Sequence, residues 1–248
     1  MSVPQTCLTP QWPAPASVHA AFTLRAGGVS GAPFDTLNVG AHVGDAPEQV
    51  SENRRRVRES LALPAEPLWL DQVHGAQVLE ADGGAPAAPP RVDAALVRRP
   101  GTVLVIQVAD CLPLLLAACN GGTVAAAHAG WRGLSGGVLE ATVAKLGEPA
   151  SRLIAWLGPA IGPAHFEVGK EVWSAFTRHD PQAAQAFVGN ARGRWQCDLV
   201  QLARQRLRAL GVQQVYGGEW CTFADPQRFF SYRRDGCCGR MAALIWLS

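Results

Sequence analysis

The chain has 248 residues, 48% of them apolar and only 17% charged, so it can bury one large core or two small ones. A formal net charge of +2 excludes the basic footprint of nucleic-acid binding, and Arg54-Arg55-Arg56 is too short a run to supply one. No apolar stretch approaches the roughly 18 residues of a membrane span, which excludes that class as well.

The N-terminal MSVPQTCLTPQWPAP lacks the basic start and apolar run of a signal peptide. Seven irregularly spaced cysteines therefore read as reduced thiols of a cytoplasmic protein, and adjacent Cys237 and Cys238 as two small, partly buried thiols. AFTLRAGGVSGAPFDTLNVG (21–40) reads as a strand followed by glycine-punctuated turns. A helix follows from Asp45 to Leu61, with Asp45 as N-cap, Pro47 in the first turn and Glu48 completing a capping box. Val50, Val57 and Leu61 fall on one face of it, and Arg54 lies on the same stripe. An arginine there calls for an anionic partner, a carboxylate or a bound ligand.

LWLDQVHGAQVLE (68–80) reads as two short strands around a turn at His74-Gly75, and ADGGAPAAPPR (81–91) as a loop. The runs 102–111, 113–119 and 123–130 are strands apolar enough to be covered on both faces, with Asn120-Gly121 turning between the last two. A helix is expected after HAGWRG (128–133), stopping at Gly147. A strand at LIAWLG, helices at 168–178 and 198–211, and strands near 212–216 and 242–247 complete the chain. This alternation predicts a single α/β or α+β domain.

His74, Cys111 and His128 each end an apolar run, where side chains can converge at a sheet edge. Two imidazoles and a thiolate suit a zinc ion with an open fourth position. The same residues also fit a thiol nucleophile activated by His128, a blue-copper centre, or an inert core thiol with hydrogen-bonded histidines. A multicopper oxidase needs many more than six histidines, and His19, His42, His165 and His179 are scattered. Arg132, at a helix start rich in Gly130, Gly133, Gly136 and Gly137, reads as an anion site or as a solvated arginine on a tight turn. With Arg54 it makes a candidate phosphate clamp. FFSYRRDGCCGR (229–240) has the aromatics and arginines to bracket a nucleobase, or is an exposed turn stabilised by Asp235.

GGVS, LNVGAHVGD, ENRRRV, WLDQVHG, VADCLPLLL, HAGWRG, LGPAIGPAHFEVG and FSYRRDGCCGR occur in this order. Together they resemble the YfiH family, also called the laccase-domain or polyphenol-oxidase family, from about residue 20 to the end. The resemblance implies one α/β domain spanning 1–248, with mixed sheets packed together and helices outside. It implies a metal site, usually zinc and less readily copper, at His74, Cys111 and His128, which double as catalytic residues. It implies a purine nucleoside phosphorylase that also deaminates adenosine and cleaves methylthioadenosine, with nucleoside and phosphate as its small-molecule partners. Editing of peptidoglycan precursors by a cysteine- or metal-dependent amidohydrolase is the alternative, followed by copper polyphenol oxidation. Asn38, Arg54, Asp110, Trp131 and Arg132 are the expected substrate-binding residues, with Asp110 or a histidine polarising the base. Cys238 stands where the family usually has Thr.

Overall fold

The computed structural model describes residues 6–82, 86 and 88–248. Part of the predicted loop at 81–91 and the first five residues of the N-terminal segment lie outside the described residues. Two sheets form the frame. One orders the strands Cys7–Leu8, Val18–Thr23, Met241–Leu247 and Val103–Val108. The other orders Gln214–Gly217, Leu153–Leu157, Leu112–Ala118, Val124–Ala129, Ala94–Val97 and Val78–Glu80. Its two outer pairs are parallel and its inner pairs antiparallel, so the domain is a mixed α/β fold, as expected.

The period-2 alternation of strand side chains sorts the core into layers. Leu112, Leu114 and Leu116 face the helices Val138–Leu146, Lys170–Thr177 and Leu199–Ala209. Leu115 and Ala117 face the other way and interleave with Phe22, Ile106, Ala243 and Ile245 of the second sheet. Beyond that sheet, Val103, Val105 and Leu244 pack against Val57 of the helix Pro47–Ser60. The order is therefore helix, four strands, six strands, helices. His128 shares the parity of Val124 and Ala126, so it points between the sheets at their open end.

Local differences from the sequence expectation have identifiable causes. The first helix begins at Pro47 with Ala46 as N-cap, because Asp45 is engaged elsewhere: it accepts hydrogen bonds from Ser30 Oγ and Asn38 Nδ2. Of the two short strands expected within 68–80, the first shrinks to one bridge between Leu68 and Leu104 and the second is Val78–Glu80. The helix after HAGWRG starts at Trp131, ends at Ser135, and resumes at Val138 after Gly137 takes a left-handed conformation. The 168–178 segment divides into a strand, Glu167–Val168, and the helix Lys170–Thr177. That strand joins Trp195–Cys197 and Phe187–Gly189 in a small third sheet absent from the sequence reading.

Candidate metal centre and cavity

Cys111 lies where the chain leaves the four-stranded sheet after Val108 and enters the six-stranded sheet at Leu112. Asp110 makes this crossing with a φ of 90°, a left-handed conformation uncommon for a side-chain-bearing residue. The hairpin register then pairs Leu112 with Ala129 and Pro113 with His128, setting Cys111 beside His128. His74 approaches from the loop before Val78, also at positive φ. The donor atoms of His74, Cys111 and His128 all lie within 4.8 Å of one another, and the two imidazoles meet edge to face at 4.7 Å.

Asp93 organises this group, and the sequence reading missed it. It is fully buried, and its carboxylate accepts from the backbone N–H groups of Val73, His74 and Gly75. It also lies 2.8 Å from His128 Nδ1. One carboxylate thus fixes the His74 loop and selects the His128 tautomer that leaves Nε2 free. Burial disfavours protonation of His128, but the interactions with Cys111 and with the Asp93 carboxylate outweigh it and push its pKa up to about 9. Burial and the charge of His128 hold His74 below the usual imidazole range.

The donor set fits a metal. His128 presents Nε2 while Nδ1 is held by a buried carboxylate, the arrangement typical of metal-ligating histidines. The space before the group is kept by Gly130, where an added Cβ would stand 2.8 Å from Cys111 Sγ and 3.0 Å from His74 Nδ1. Its φ of −58° suits any residue, so the reason for glycine here is room, not backbone freedom. Gly133 serves packing in the same way: a Cβ would meet Gly75 O at 3.0 Å.

The group opens into a cavity of about 630 Å³. Of the expected substrate-binding residues, Asp110, Trp131 and Arg132 line it, with Arg132 stacked on Trp131 at 4.4 Å. Asp110 is not free to act on a base, since Thr222 Oγ1, Ser231 Oγ and the Arg233 N–H all donate to its carboxylate. It anchors the wall instead. Arg54 does not reach the lining. Its helix stripe does face inward, but Nε donates to Val39 O and the guanidinium stacks 3.7 Å above Trp69. A carbonyl and an aromatic face are its direct partners, with the Glu66 carboxylate close enough to act on its charge. Asn38 is buried, its amide engaged with Gly40, Asp45 and the Arg240 N–H, so it positions Arg240 rather than touching the cavity.

The cavity also draws on His42, Gln107, Phe166, Tyr232, Arg233 and Arg240, which the sequence reading had not assigned to it as single residues. Burial and the nearby Arg240 and Arg54 charges keep His42 below the ordinary imidazole range. The 229–240 stretch combines both of its readings: Asp235 pairs with Arg234 at 2.8 Å, while Tyr232 and Arg233 face the cavity. Cys237 is exposed and Cys238 buried, where burial pushes its thiol up to about 11.

A mixed α/β domain with a His-Cys-His group at the open end of two packed sheets is the class these features define. The family model described as multi-copper polyphenol oxidoreductase laccase matches residues 19–248. A purine nucleoside phosphorylase of Pseudomonas aeruginosa is 56% identical, covering 97% of this chain and 98% of its own. The purine nucleoside phosphorylase YfiH of Escherichia coli is 51% identical over the same shares. Among solved structures, a Neisseria meningitidis protein superposes with a TM-score of 0.95 at 46% identity, covering 98% of this chain and 100% of that one. YlmD of Geobacillus stearothermophilus gives 0.91 at 32% identity, covering 100% and 98%. The chain belongs to the YfiH family. The multi-copper description finds no second cluster: among the described residues His74, Cys111 and His128 are the one group of three metal-competent side chains. His19 and His165 are stacked on Trp246 and Phe223.

Proposed function

We propose that the protein is a purine nucleoside phosphorylase acting on adenosine, inosine and methylthioadenosine, with zinc at His74, Cys111 and His128 and adenosine deamination as a side activity. The observation that carries this reading is a set of three guanidinium groups, Arg132, Arg233 and Arg240, lining the cavity beside the His-Cys-His group. Among the described residues none of the three forms an ion pair, so their charge is available to a bound anion. The naming of relatives above 50% identity as purine nucleoside phosphorylases supports it.

In phosphorolysis a phosphate oxygen bonds to C1′ of the ribose while the C1′–N9 bond breaks and its electron pair leaves with the base. The arginines orient the phosphate and stabilise its charge. Trp131, Phe166 and Tyr232 supply aromatic surface for the purine, with Arg233 over Phe166 at 5.3 Å. A bound zinc ion would supply an activated water for deamination at C6. Asp93 holds the His128 ring, and Asp110 holds the segment carrying Arg233. The free thiols Cys111, Cys119, Cys197, Cys221, Cys237 and Cys238 accord with a cytoplasmic setting.

The test is incubation with inosine and with adenosine, with and without phosphate, followed by chromatography. Hypoxanthine released from inosine only when phosphate is present supports phosphorolysis; release without phosphate contradicts it. A second reading rests on Cys111, His128 and Asp93 standing in nucleophile–base–orienter order. It predicts a thiol amidohydrolase acting on cell-wall peptide precursors, indifferent to phosphate and blocked by alkylation.

A further inference from the structure

Gln107 is 94% buried by its exposure of 6%, lines the cavity, and its Oε1 is buried with no partner. A buried carboxamide oxygen left without a donor is destabilising unless a ligand supplies one. Its orientation is set by the surroundings: Nε2 reaches Leu70 O at 3.4 Å, and turning the amide over would oppose two oxygens. The backbone of Gln107, on an edge strand, is closed off by the side chain of Gln72, which accepts from its N–H and donates to its carbonyl. Only the side-chain oxygen remains for a ligand.

The cavity lining combines polar and aromatic side chains. Val108 faces the interior between the sheets, whereas Gln107 lies on the opposite face of the same strand. Beside Gln107 stand Gln72, which holds its backbone, and Asp71, which follows the Leu70 carbonyl that Nε2 reaches; the aromatic part of the lining is Trp131, Phe166 and Tyr232. A purine belongs against the rings. A phosphate anion is drawn to the guanidinium groups and is disfavoured beside the Gln107 oxygen and the Asp71 carboxylate. A ribose carries hydroxyl donors and matches a polar wall that offers both the Gln107 oxygen and the Asp71 carboxylate.

We infer that the Gln107 side of the cavity is a ribose subsite in which Gln107 Oε1 accepts a hydrogen bond from a ribose hydroxyl, making Gln107 a specificity-determining residue. This deepens the phosphorylase reading and rests on it. The carboxamide then discriminates ribonucleosides from their deoxy counterparts, because a deoxy sugar leaves Oε1 buried and unpaired.

The experiment measures kcat/KM for phosphorolysis of inosine, 2′-deoxyinosine, 3′-deoxyinosine and adenosine in the wild type, Gln107→Leu and Gln107→Glu. Ratios between substrates on one sample are independent of the folded fraction, so a partly unfolded variant remains informative. The wild type is expected to prefer inosine over at least one deoxyinosine by tenfold or more. Gln107→Leu is expected to bring that ratio to within threefold of one, while the inosine-to-adenosine ratio stays unchanged. Gln107→Glu keeps an acceptor oxygen and is expected to retain the sugar preference. Equal loss on all four substrates overturns the inference, as does a changed inosine-to-adenosine ratio with the sugar preference intact, which would assign Gln107 to the base. A wild type that cleaves no nucleoside overturns the phosphorylase reading itself, and is told apart because no ratio exists to compare.

Discussion

The hairpin Leu112–Ala118/Val124–Ala129 is apolar and sealed in its middle but polar and open at one end. In the middle, Leu115 pairs with Ala126 and both are covered by the opposing sheet. At the end, His128 has the same facing, but the opposing strand has finished at Val108 and left a cavity where its cover would be. The same alternation of side chains therefore produces core in one place and a reactive site in the other. Buried polar groups are tolerated at the open end because Asp93 and Asp110 collect their donors: Asp93 holds the His-Cys-His group, Asp110 the cavity wall.

The largest expected effect lies in the sealed middle. Leu115→Ala removes a fully buried side chain, and about 2–5 kcal/mol of stability goes with it, read as a lower midpoint in urea denaturation. Metal affinity measured on the folded protein should not change, because Leu115 sits in the sealed middle, paired with Ala126 and Trp156. At the open end the dissociation reverses. Asp93→Asn preserves volume but removes the carboxylate that selects the His128 tautomer, so zinc affinity should fall about 10- to 100-fold in a competition titration with a chelating dye. An unchanged affinity would show that the His128 ring is held by packing alone.

Gly130→Ala sharpens the comparison sterically. Its backbone conformation accepts alanine, so stability should change little, while the new methyl presses on Cys111 Sγ and His74 Nδ1. Metal affinity should fall about tenfold. Asp110→Asn should leave metal affinity intact and raise KM for phosphate, since the Arg233 N–H and Ser231 hydroxyl lose their carboxylate partner.

The smallest effect is a pH dependence confined to the open end. The folded-state pKa of His128, about 9, lies above its ordinary value of 6.5. The protonated ring thus stabilises the metal-free protein fully below pH 6.5, and this contribution is lost as pH rises toward and through 9. Thermal midpoints of the metal-free protein should decline across that window. The decline should shrink in Cys111→Ala, which removes one of the partners that raise the His128 pKa.

Much of this division was legible in the chain. The apolar runs announced the buried strands, and a polar residue closing such a run singled out His74, Cys111 and His128. Asp93 stands at the opening of the Ala94–Val97 run, a mirror of the same signal, yet its partners come from sheet pairing: Ala94 opposite Ala127 carries Asp93 to His128. That contact is non-local and leaves no trace in spacing. The helical stripe placed Arg54 correctly on an inward face, but not the Trp69 ring and Val39 carbonyl that receive it. The strands of the third sheet, two or three residues each, are too short for any periodicity to register.

The phosphorylase reading is tested most directly by phosphorus NMR of the protein with inosine and inorganic phosphate. The account predicts loss of inorganic phosphate and formation of a pentose 1-phosphate, one for each hypoxanthine released. Hypoxanthine accompanied by free ribose, with inorganic phosphate undiminished, would contradict it.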